Sequence, residues 1–215
     1  MMPRLHALLR CSRRQLARFG RSNRATVAVE TALVIPMLIG VGVLGADIQR
    51  VQTERIRLEN AAGAMALNLA AQEQLSAAGL KALSAVAMQG YEASQQLIIL
   101  NVSQSGRVNW ALQRGGASDL CDAQAMQGLY TGTLPEEPPE DSDGGNDSSD
   151  ASTLSMLVVR ACRDTEEILL TSGLTMPSTL DTTAIYRART AKITLDETLQ
   201  NESDASGLAY SKESQ

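Results

Sequence analysis

Histidine is almost absent from this chain. The one histidine, His6, lies within the first 25 residues, so the rest of the chain has none. This excludes Ser-His-Asp and Cys-His nucleophilic catalysis, and any histidine-based zinc site, from most of the sequence. Aromatic residues are also few, with one Trp and one Phe. The sequence therefore predicts a protein that is not an enzyme and has no metal or cofactor, with a core of aliphatic side chains and alanine.

Cysteine is scarce as well, with three in the chain. Cys11 follows Arg10 near the N-terminus and does not resemble a lipoprotein acceptor. Cys121 and Cys162 lie in the later part, and if that part is exported to an oxidising compartment we expect them to form a disulfide. The bridge would close a loop of about 40 residues and contribute about 3–4 kcal/mol to stability. Two buried free thiols are the alternative.

The stretch from Thr26 to Ala46 contains one charge, Glu30, and one proline, Pro36. At about 1.5 Å rise per residue it spans about 30 Å, the thickness of a bilayer's hydrocarbon core, so it predicts a transmembrane helix. Residues 1–25 carry seven arginines and no acidic residue. The positive-inside rule then predicts a cytoplasmic N-terminus and an exported C-terminal part. A conventional cleaved signal peptide is the alternative, although Glu30 and Pro36 fit such a core badly.

An acidic side chain inside a membrane segment is costly and has a partner or a function. Two interpretations of Glu30 are open. It either lies near the headgroups and pairs with Arg24, or it faces another subunit within the membrane.

The residues around Glu30 resemble a known family. Residues 29–36, VETALVIP, are similar to the VEFALVLP signature of the TadE-like proteins, which are minor pseudopilins of tight-adherence (Tad) pilus systems. An acidic residue and an arginine follow at the family's spacing, and residues 58–62, LENAA, resemble its LxNAA segment. The likeness covers residues 24–66. Its motif positions after Glu30 are Pro36, Asp47, Arg50, Leu58, Asn60, Ala61 and Ala62.

The resemblance implies cleavage by a prepilin peptidase between Ala25 and Thr26, which makes Glu30 the fifth residue of the mature chain. Ala25 stands where the family usually has Gly, and Thr31 replaces the usual aromatic residue. In a neighbouring subunit, the carboxylate of Glu30 would neutralise the new α-amino group, so that two buried charges become tolerable as a pair. The implied partners are the bacterial inner membrane, the peptidase, the Tad assembly platform, the major pilin and a sister pseudopilin.

Beyond residue 25 the chain is strongly acidic, with 12 Lys and Arg against 24 Asp and Glu. This argues against nucleic acid and anionic membrane surfaces as partners. Much of the excess lies in residues 135–152, PEEPPEDSDGGNDSSDAS, which cannot bury enough apolar surface to fold and predict a disordered loop. Asp141, Asp143, Asp147 and Asp150 are the candidate calcium ligands here, but a calcium site is disfavoured because the Gly145-Asn146 order and Ser152 do not match a calcium-binding loop.

The periodicity of the remaining segments predicts an α+β fold. From Asp47 to about residue 74 the helix continues, with a buried stripe at Ile48, Val51, Leu58, Ala62, Met65 and Leu69. Residues 76–95 predict a second helix, residues 96–103 and 107–114 a β-hairpin with Trp110 in the core, and residues 154–163 and 183–194 two further strands. Residues 165–173 are either a short helix or a turn, and the tail after Asn201 is expected to fray.

The expected architecture is type IV pilin-like, with a long N-terminal transmembrane helix that extends into a small exported domain with a second helix and a short antiparallel sheet. Its segments are a basic cytoplasmic leader (1–25), the transmembrane segment (26–46), the extended and second helices (47–95), the β-hairpin region (96–134), the acidic loop (135–152), C-terminal strands (153–200) and a flexible tail (201–215). The predicted function is structural, in Tad-type pilus assembly, in a single-pass inner-membrane protein with a periplasmic domain. A single-pass periplasmic binding or sensor module is the alternative, and an exported enzyme has only scattered Ser and Asp in its favour.

Overall fold

The computed structural model describes residues 23–122, 127–136, 155–166, 168–190 and 192–209, without the side chains of residues 23–26 and 28. The fold is α+β, with a long apolar N-terminal helix, a second helix and an antiparallel sheet. The helices are α1 (Asn23–Ala70), α2 (Ala77–Met88) and α3 (Glu197–Ser206). The strands are β1 (Gln74–Leu75), β2 (Gln95–Val102), β3 (Val108–Arg114), β4 (Met156–Asp164), β5 (Thr179–Arg187) and β6 (Thr194–Leu195).

The chain divides into two compact units, which are described separately. The first consists of Met1–Arg50 with Leu170–Leu174, and the second of Val51–Leu169 with Thr175–Gln215. We call the second unit the sheet domain. Helix α1 contributes its residues up to Arg50 to the first unit and its remaining residues to the sheet domain.

In the first unit, α1 exposes aliphatic side chains on all sides. Leu33, Met37 and Val41 are 68%, 76% and 68% exposed, and Pro36 lies inside the helix. Between Val29 and Ala70 the helix includes an 18-residue window with a mean hydropathy of 2.0, of which 6% is buried. Length and composition therefore suffice for a membrane crossing, and the low burial distinguishes this window from the core helix of a globular domain.

In the sheet domain, α1 buries the predicted stripe. Leu58, Ala62, Met65 and Leu69 recur at steps of three and four and are all buried. The stripe is shorter than predicted, because Val51 is half-buried and Ile48, in the first unit, is 49% exposed.

Helix α2 ends earlier than predicted. Its N-cap is Ser76, whose hydroxyl accepts a hydrogen bond from the Gly79 amide. It stops at Met88 because Gln89 adopts a left-handed conformation and Gly90 follows with a φ of 87°. The predicted extension to residue 95 was therefore wrong, and Tyr91 lies in the connection to β2.

The sheet has the order β3-β2-β4-β5, and every neighbouring pair is antiparallel. The predicted hairpin is present, since β2 pairs with β3 from Leu97↔Arg114 to Val102↔Val108. Gly106, with a φ of 84°, lies in the connecting turn. Every residue of β2 is buried, because both faces of the sheet are covered, and this explains its continuous apolar sequence.

Two hydrophobic clusters cover the two faces. On one face Leu97, Ile99, Trp110, Leu157 and Val159 belong to a cluster with the buried residues of the three helices. On the other face lies a smaller cluster, formed by Ile98, Leu100, Val108, Val158 and Cys162 of the sheet together with Cys121, against which Leu120, Tyr130 and Leu134 pack.

The C-terminal region differs most from the prediction. The last strand of the sheet is Thr179–Arg187 rather than 183–194, and Thr194–Leu195 instead forms a short parallel pair with Gln74–Leu75. Residues 201–206 are the second half of α3 rather than part of a flexible tail. This helix is polar, so the hydrophobic pattern of the sequence did not predict it. It nevertheless buries Leu199 and Ser203, and the Ser203 hydroxyl accepts a hydrogen bond from the Ala111 amide.

Of the remaining predictions, one falls mainly on described residues and the others lie outside them. The described residues of 165–173 form no helix, which leaves the turn interpretation. Most of the basic leader, the acidic stretch from residue 137 to 152 with its calcium candidates, and residues 210–215 lie outside the described residues.

Asp196 connects two helix N-termini. Its side chain caps α3 by accepting a hydrogen bond from the Leu199 amide (2.8 Å), and it also accepts one from the Ala77 amide (2.6 Å) at the first turn of α2. Helix N-termini attract negative charge, because their first amides have no partner within the helix. The hydrogen bonds from Leu199 and Ala77 lower the pKa of Asp196 below its usual value, although desolvation opposes them.

We expect Asp196→Asn to lower the melting temperature at neutral pH, because the anionic form is the one that both helix ends stabilise. A folded-state pKa below the unfolded value of about 3.9 means that this stabilisation is complete above that value and is lost as the pH falls through the folded pKa. The difference in melting temperature between wild type and variant should therefore shrink below about pH 4. Melting followed by circular dichroism from pH 3 to pH 7 measures it, with Asp204→Asn, near the other end of α3, as the matched control. A gap that is equal at all pH values would contradict the argument.

Candidate functional site

Glu30 lies on the apolar part of α1 and its side chain is exposed. The carboxylate is thus presented beside aliphatic side chains of the same helix rather than folded into a core. The Arg24 side chain, its alternative partner, lies outside the described residues, and Ala25 and Thr26 lie in the first turns of α1. The predicted processing site and both interpretations of Glu30 stay predictions.

Thr31 takes the place of the aromatic residue in the family signature. Its hydroxyl donates a hydrogen bond to the Val27 carbonyl (2.8 Å), one helical turn earlier. A hydroxyl bonded in this way needs no partner from water or another chain. The departure at Thr31 is therefore compatible with an apolar environment.

Asp47 follows directly after the predicted membrane segment and is completely buried. Its carboxylate accepts hydrogen bonds from the Thr171 amide (2.8 Å), the Thr171 hydroxyl (3.1 Å) and the Ser172 amide (2.6 Å). A buried carboxylate needs several donors of this kind, and backbone amides bound to a carboxylate are among the stronger hydrogen bonds in proteins. Asp47 therefore attaches the 170–174 loop to α1.

Arg50 contributes less to this arrangement. Its guanidinium lies 3.8 Å from the Asp47 carboxylate, and its side chain is 56% exposed. Ion pairs with this exposure contribute little to stability. Of the two motif residues, the acid is the one that structures the loop.

The LENAA segment divides between core and surface. Leu58 and Ala62 are buried in the cluster on the helix-bearing face of the sheet. Asn60 is exposed and Ala61 is half-buried, and both line a groove of about 560 Å³ in the sheet domain. The segment thus combines a packing role with a contribution to a concave surface.

Charged and aromatic side chains form one part of this groove. Arg163 is 5% exposed, pairs with the Glu54 carboxylate, and its guanidinium carbon lies 3.8 Å from the centre of the Tyr91 ring. Arg57 joins the same group, with Nη1 3.3 Å from Glu54 Oε1 and 3.2 Å from the Tyr91 hydroxyl. The charge of Arg163 is thus compensated inside the chain, and the group locks α1 to β4.

Sequence reasoning did not find this group. Glu54 and Arg163 are 109 positions apart, and neither belongs to a local motif. The only available signal was Arg163 itself, a charged residue near the end of a largely apolar strand. The described residues contain no group of three or more His, Cys, Asp or Glu side chains arranged to hold a metal ion.

Cys121 and Cys162 form a disulfide in the structure, with a Cα–Cα distance of 5.5 Å. Both residues are buried, and the Cys121 amide donates to the side-chain oxygen of Gln96 (2.8 Å). The bridge joins the segment around Cys121 to β4, on the sheet face opposite the helices. Closing a loop of this length stabilises the folded state by about 3–4 kcal/mol, chiefly by restricting the unfolded chain.

No family model, curated protein or solved structure matches the chain. The family resemblance rests on the short motifs between residues 24 and 66. The functional proposal therefore depends on where the structure places the residues of these motifs.

Proposed function

We propose that this chain is a TadE-like minor pseudopilin, a membrane-anchored structural component of Tad-type pilus assembly. The observation that carries the proposal is the first part of α1, where exposed aliphatic side chains surround a single exposed acidic residue. Each such side chain left in water costs about 1.5–3 kcal/mol relative to burial, so this surface needs a bilayer or other helices.

The mechanism is helix–helix packing guided by charge. In the bilayer the aliphatic surface of α1 is solvated by lipid, and in an assembly it packs against similar helices. Glu30 then selects the axial register, because its carboxylate is tolerated in an apolar environment only beside a positive group such as the α-amino group of Thr26 in a neighbouring subunit. The proposed partners are the prepilin peptidase, the assembly platform, the major pilin and a sister pseudopilin in the bacterial inner membrane.

The contacts that follow the apolar segment support an exported domain at this position. Asp47 binds the backbone of the 170–174 loop next to the end of the segment. The disulfide is also typical of an oxidising compartment such as the periplasm. These features fit a single-pass protein with its N-terminus in the cytoplasm.

The N-terminal sequence of the protein extracted from membranes tests the proposal. We expect the mature chain to begin at Thr26 in cells with the prepilin peptidase, and to keep the basic residues 1–25 in cells that lack it. Ala25→Gly is the matched variant, and it should raise the processed fraction because it restores the residue that the family favours before the cut. A soluble chain that begins near Asp47 would instead indicate a cleaved signal peptide and contradict the proposal.

The alternative, a periplasmic binding or sensor module, would use the groove lined by Asn60 and Ala61. Its buried arginine, Arg163, is already paired with Glu54 and lies against the Tyr91 ring. Glu54 neutralises the charge of Arg163, although the buried Arg163 Nε has no hydrogen-bond partner among the described residues, and this pairing leaves the groove little net charge to hold an anionic ligand. The groove therefore favours the structural role over the binding role.

A further inference from the structure

The outer edge of β5 is unpaired in the described part of the chain. On its inner side β5 pairs with β4 through nine successive residue pairs, from Met156↔Arg187 to Asp164↔Thr179. The opposite edge of the sheet is covered, because the Ala111 amide of β3 donates to Ser203 of α3 and the Val108 amide donates to the Gly128 carbonyl. Only β5 presents a row of available backbone groups among the described strands of this sheet.

The residues that present these groups follow from the ladder with β4. The Ala188 amide donates to the Ser155 carbonyl, and the Ser178 carbonyl accepts from the Thr165 amide. Hydrogen-bonded pairs alternate with non-hydrogen-bonded pairs in an antiparallel ladder, so the even-numbered residues of β5 turn their backbone groups toward β4. The odd-numbered residues turn theirs outward, and these are Thr179, Asp181, Thr183, Ile185 and Arg187.

β5 lacks most of the features that protect an edge strand, although it carries two charged residues, Asp181 and Arg187. Natural edges carry proline, charged side chains (above all lysine) or a bulge that prevents another strand from pairing. Residues 179–187, TLDTTAIYR, contain neither proline nor lysine, and the register with β4 has no interruption. The strand is instead rich in β-branched residues, which favour sheet pairing.

The charges of β5 are self-complementary. When a second copy lies antiparallel with Ala184 facing Ala184, Asp181 of each copy faces Arg187 of the other. In this register every outward residue from 181 to 187 faces another outward residue, which antiparallel pairing requires. A shift that centres the pair on Thr183 or on Ile185 keeps this parity but separates Asp181 from Arg187. Within the strand, one register satisfies both conditions.

We propose that β5 is a dimerisation edge, at which two copies of this chain join their sheets antiparallel about a two-fold axis through Ala184. Such an interface is isologous, because the same strand serves both partners. Asp181 is available for it, since its side chain is 58% exposed and its partner Arg160 lies at 3.2 Å on the neighbouring strand. A carboxylate can accept from both guanidinium groups, and Arg187, whose Nη2 already donates to the Glu136 carbonyl (2.7 Å), has further N–H groups to donate. The inference concerns the sheet domain and holds whether or not the chain acts in pilus assembly.

Single cysteines test the register in the full chain, in detergent and in membranes, with Cys11→Ser to remove the unpaired thiol. Ala184→Cys should form a covalent dimer on mild oxidation, because residues on the axis form a non-hydrogen-bonded pair with Cα atoms about 4.5 Å apart, within disulfide reach. Thr182→Cys and Tyr186→Cys should each fail to cross-link alone but should cross-link when mixed, since residue 182 faces residue 186. Self-cross-linking at Thr182, or none at Ala184, would overturn the proposal.

Proline substitutions test the edge itself. Thr183→Pro removes an outward amide and leaves the ladder with β4 intact, so it should abolish the Ala184→Cys cross-link without unfolding the chain. Thr182→Pro removes an inward amide and is the matched control, which should lower thermal stability. Cross-linking that persists in a folded Thr183→Pro variant contradicts the proposal.

Charge reversal tests the same register with substitutions at exposed or half-buried positions. If Thr183→Pro does not fold, this experiment decides whether two copies pair at β5. Asp181→Arg or Arg187→Asp alone should reduce the cross-linking yield about tenfold, because each contact occurs twice in the dimer. The double exchange should restore the yield. Equal yields in all three variants would overturn the proposal.

Discussion

Glu30→Gln is expected to abolish surface fibres while the protein remains in the membrane. The substitution preserves the size of the side chain and removes its charge, so the α-amino group of a neighbouring Thr26 is left in an apolar environment without a partner. Breaking a buried ion pair in this way costs about 3–5 kcal/mol, which lowers an assembly equilibrium at least about a hundredfold. Membrane insertion should not suffer, because an uncharged side chain crosses more easily than a carboxylate.

Electron microscopy of surface fibres, with immunoblotting of membrane fractions, measures both parts of this expectation. Glu30→Asp keeps the charge and should retain more fibres than Glu30→Gln, whereas Val29→Ala changes the neighbouring exposed side chain and should leave them unchanged. In cells without the prepilin peptidase, wild type and Glu30→Gln should both lack fibres, because an uncut chain has no α-amino group at Thr26 for the carboxylate to pair with. Unchanged fibre numbers in Glu30→Gln would refute the charge-pairing mechanism.

Trp110→Ala is expected to cause the largest loss of stability in the sheet domain. Trp110 is 3% exposed, belongs to the cluster beneath the helices, and its indole Nε1 donates to the Ile193 carbonyl (2.9 Å). Truncating a buried aromatic side chain of this size costs about 3–5 kcal/mol, because it leaves a cavity as well as removing apolar contact. The unpaired Ile193 carbonyl adds to the cost.

Urea denaturation followed by circular dichroism, under non-reducing conditions, measures the free energy of unfolding of this variant. Trp110→Phe keeps most of the apolar volume and loses the hydrogen bond, so it should cost about 1–3 kcal/mol. Val86→Ala alters a side chain that is 64% exposed, and should stay within about 0.5 kcal/mol of wild type. A Trp110→Ala variant as stable as Val86→Ala would mean that the indole is not a core residue.

Local patterns were sufficient to predict the central elements. The hairpin of β2 and β3 follows from two apolar runs separated by a glycine-containing turn, and its strands begin and end within one residue of the predicted positions. The buried stripe of α1 follows from helical periodicity at Leu58, Ala62, Met65 and Leu69. Predicting the pairing of Cys121 with Cys162 required only an oxidising compartment and the presence of two cysteines in the later part of the chain.

Contacts between residues that are far apart in the chain could not be predicted from the sequence. Asp47 is a motif residue, but its partners Thr171 and Ser172 are 124 and 125 positions away and have no sequence signature. Helix α3 was missed because its stability depends on the cap at Asp196 and on two buried residues rather than on a hydrophobic stripe. The end of α2 depends on the left-handed backbone of Gln89, a residue with no special preference for that conformation.

The outer edge of β5 illustrates the same limit. The sequence predicted a strand at residues 183–194, which overlaps β5 only in part, and which backbone groups of β5 face outward depends on the register with β4. The symmetric spacing of Asp181 and Arg187 has a meaning only once that register is known. An interaction surface of this kind is a property of the assembled sheet.

The hydrogen bonds around residues 193–196 have a consequence for biogenesis. Trp110 binds Ile193, Gln74 pairs with Thr194, and Ala77 binds Asp196. The chain is synthesised from its N-terminus, so these contacts cannot form until residues 193–196 have been translated. In an exported chain, these contacts would have to form after residues 193–196 had crossed the membrane. A nonsense codon near position 190 would release a polypeptide that cannot close its fold and that proteases would clear.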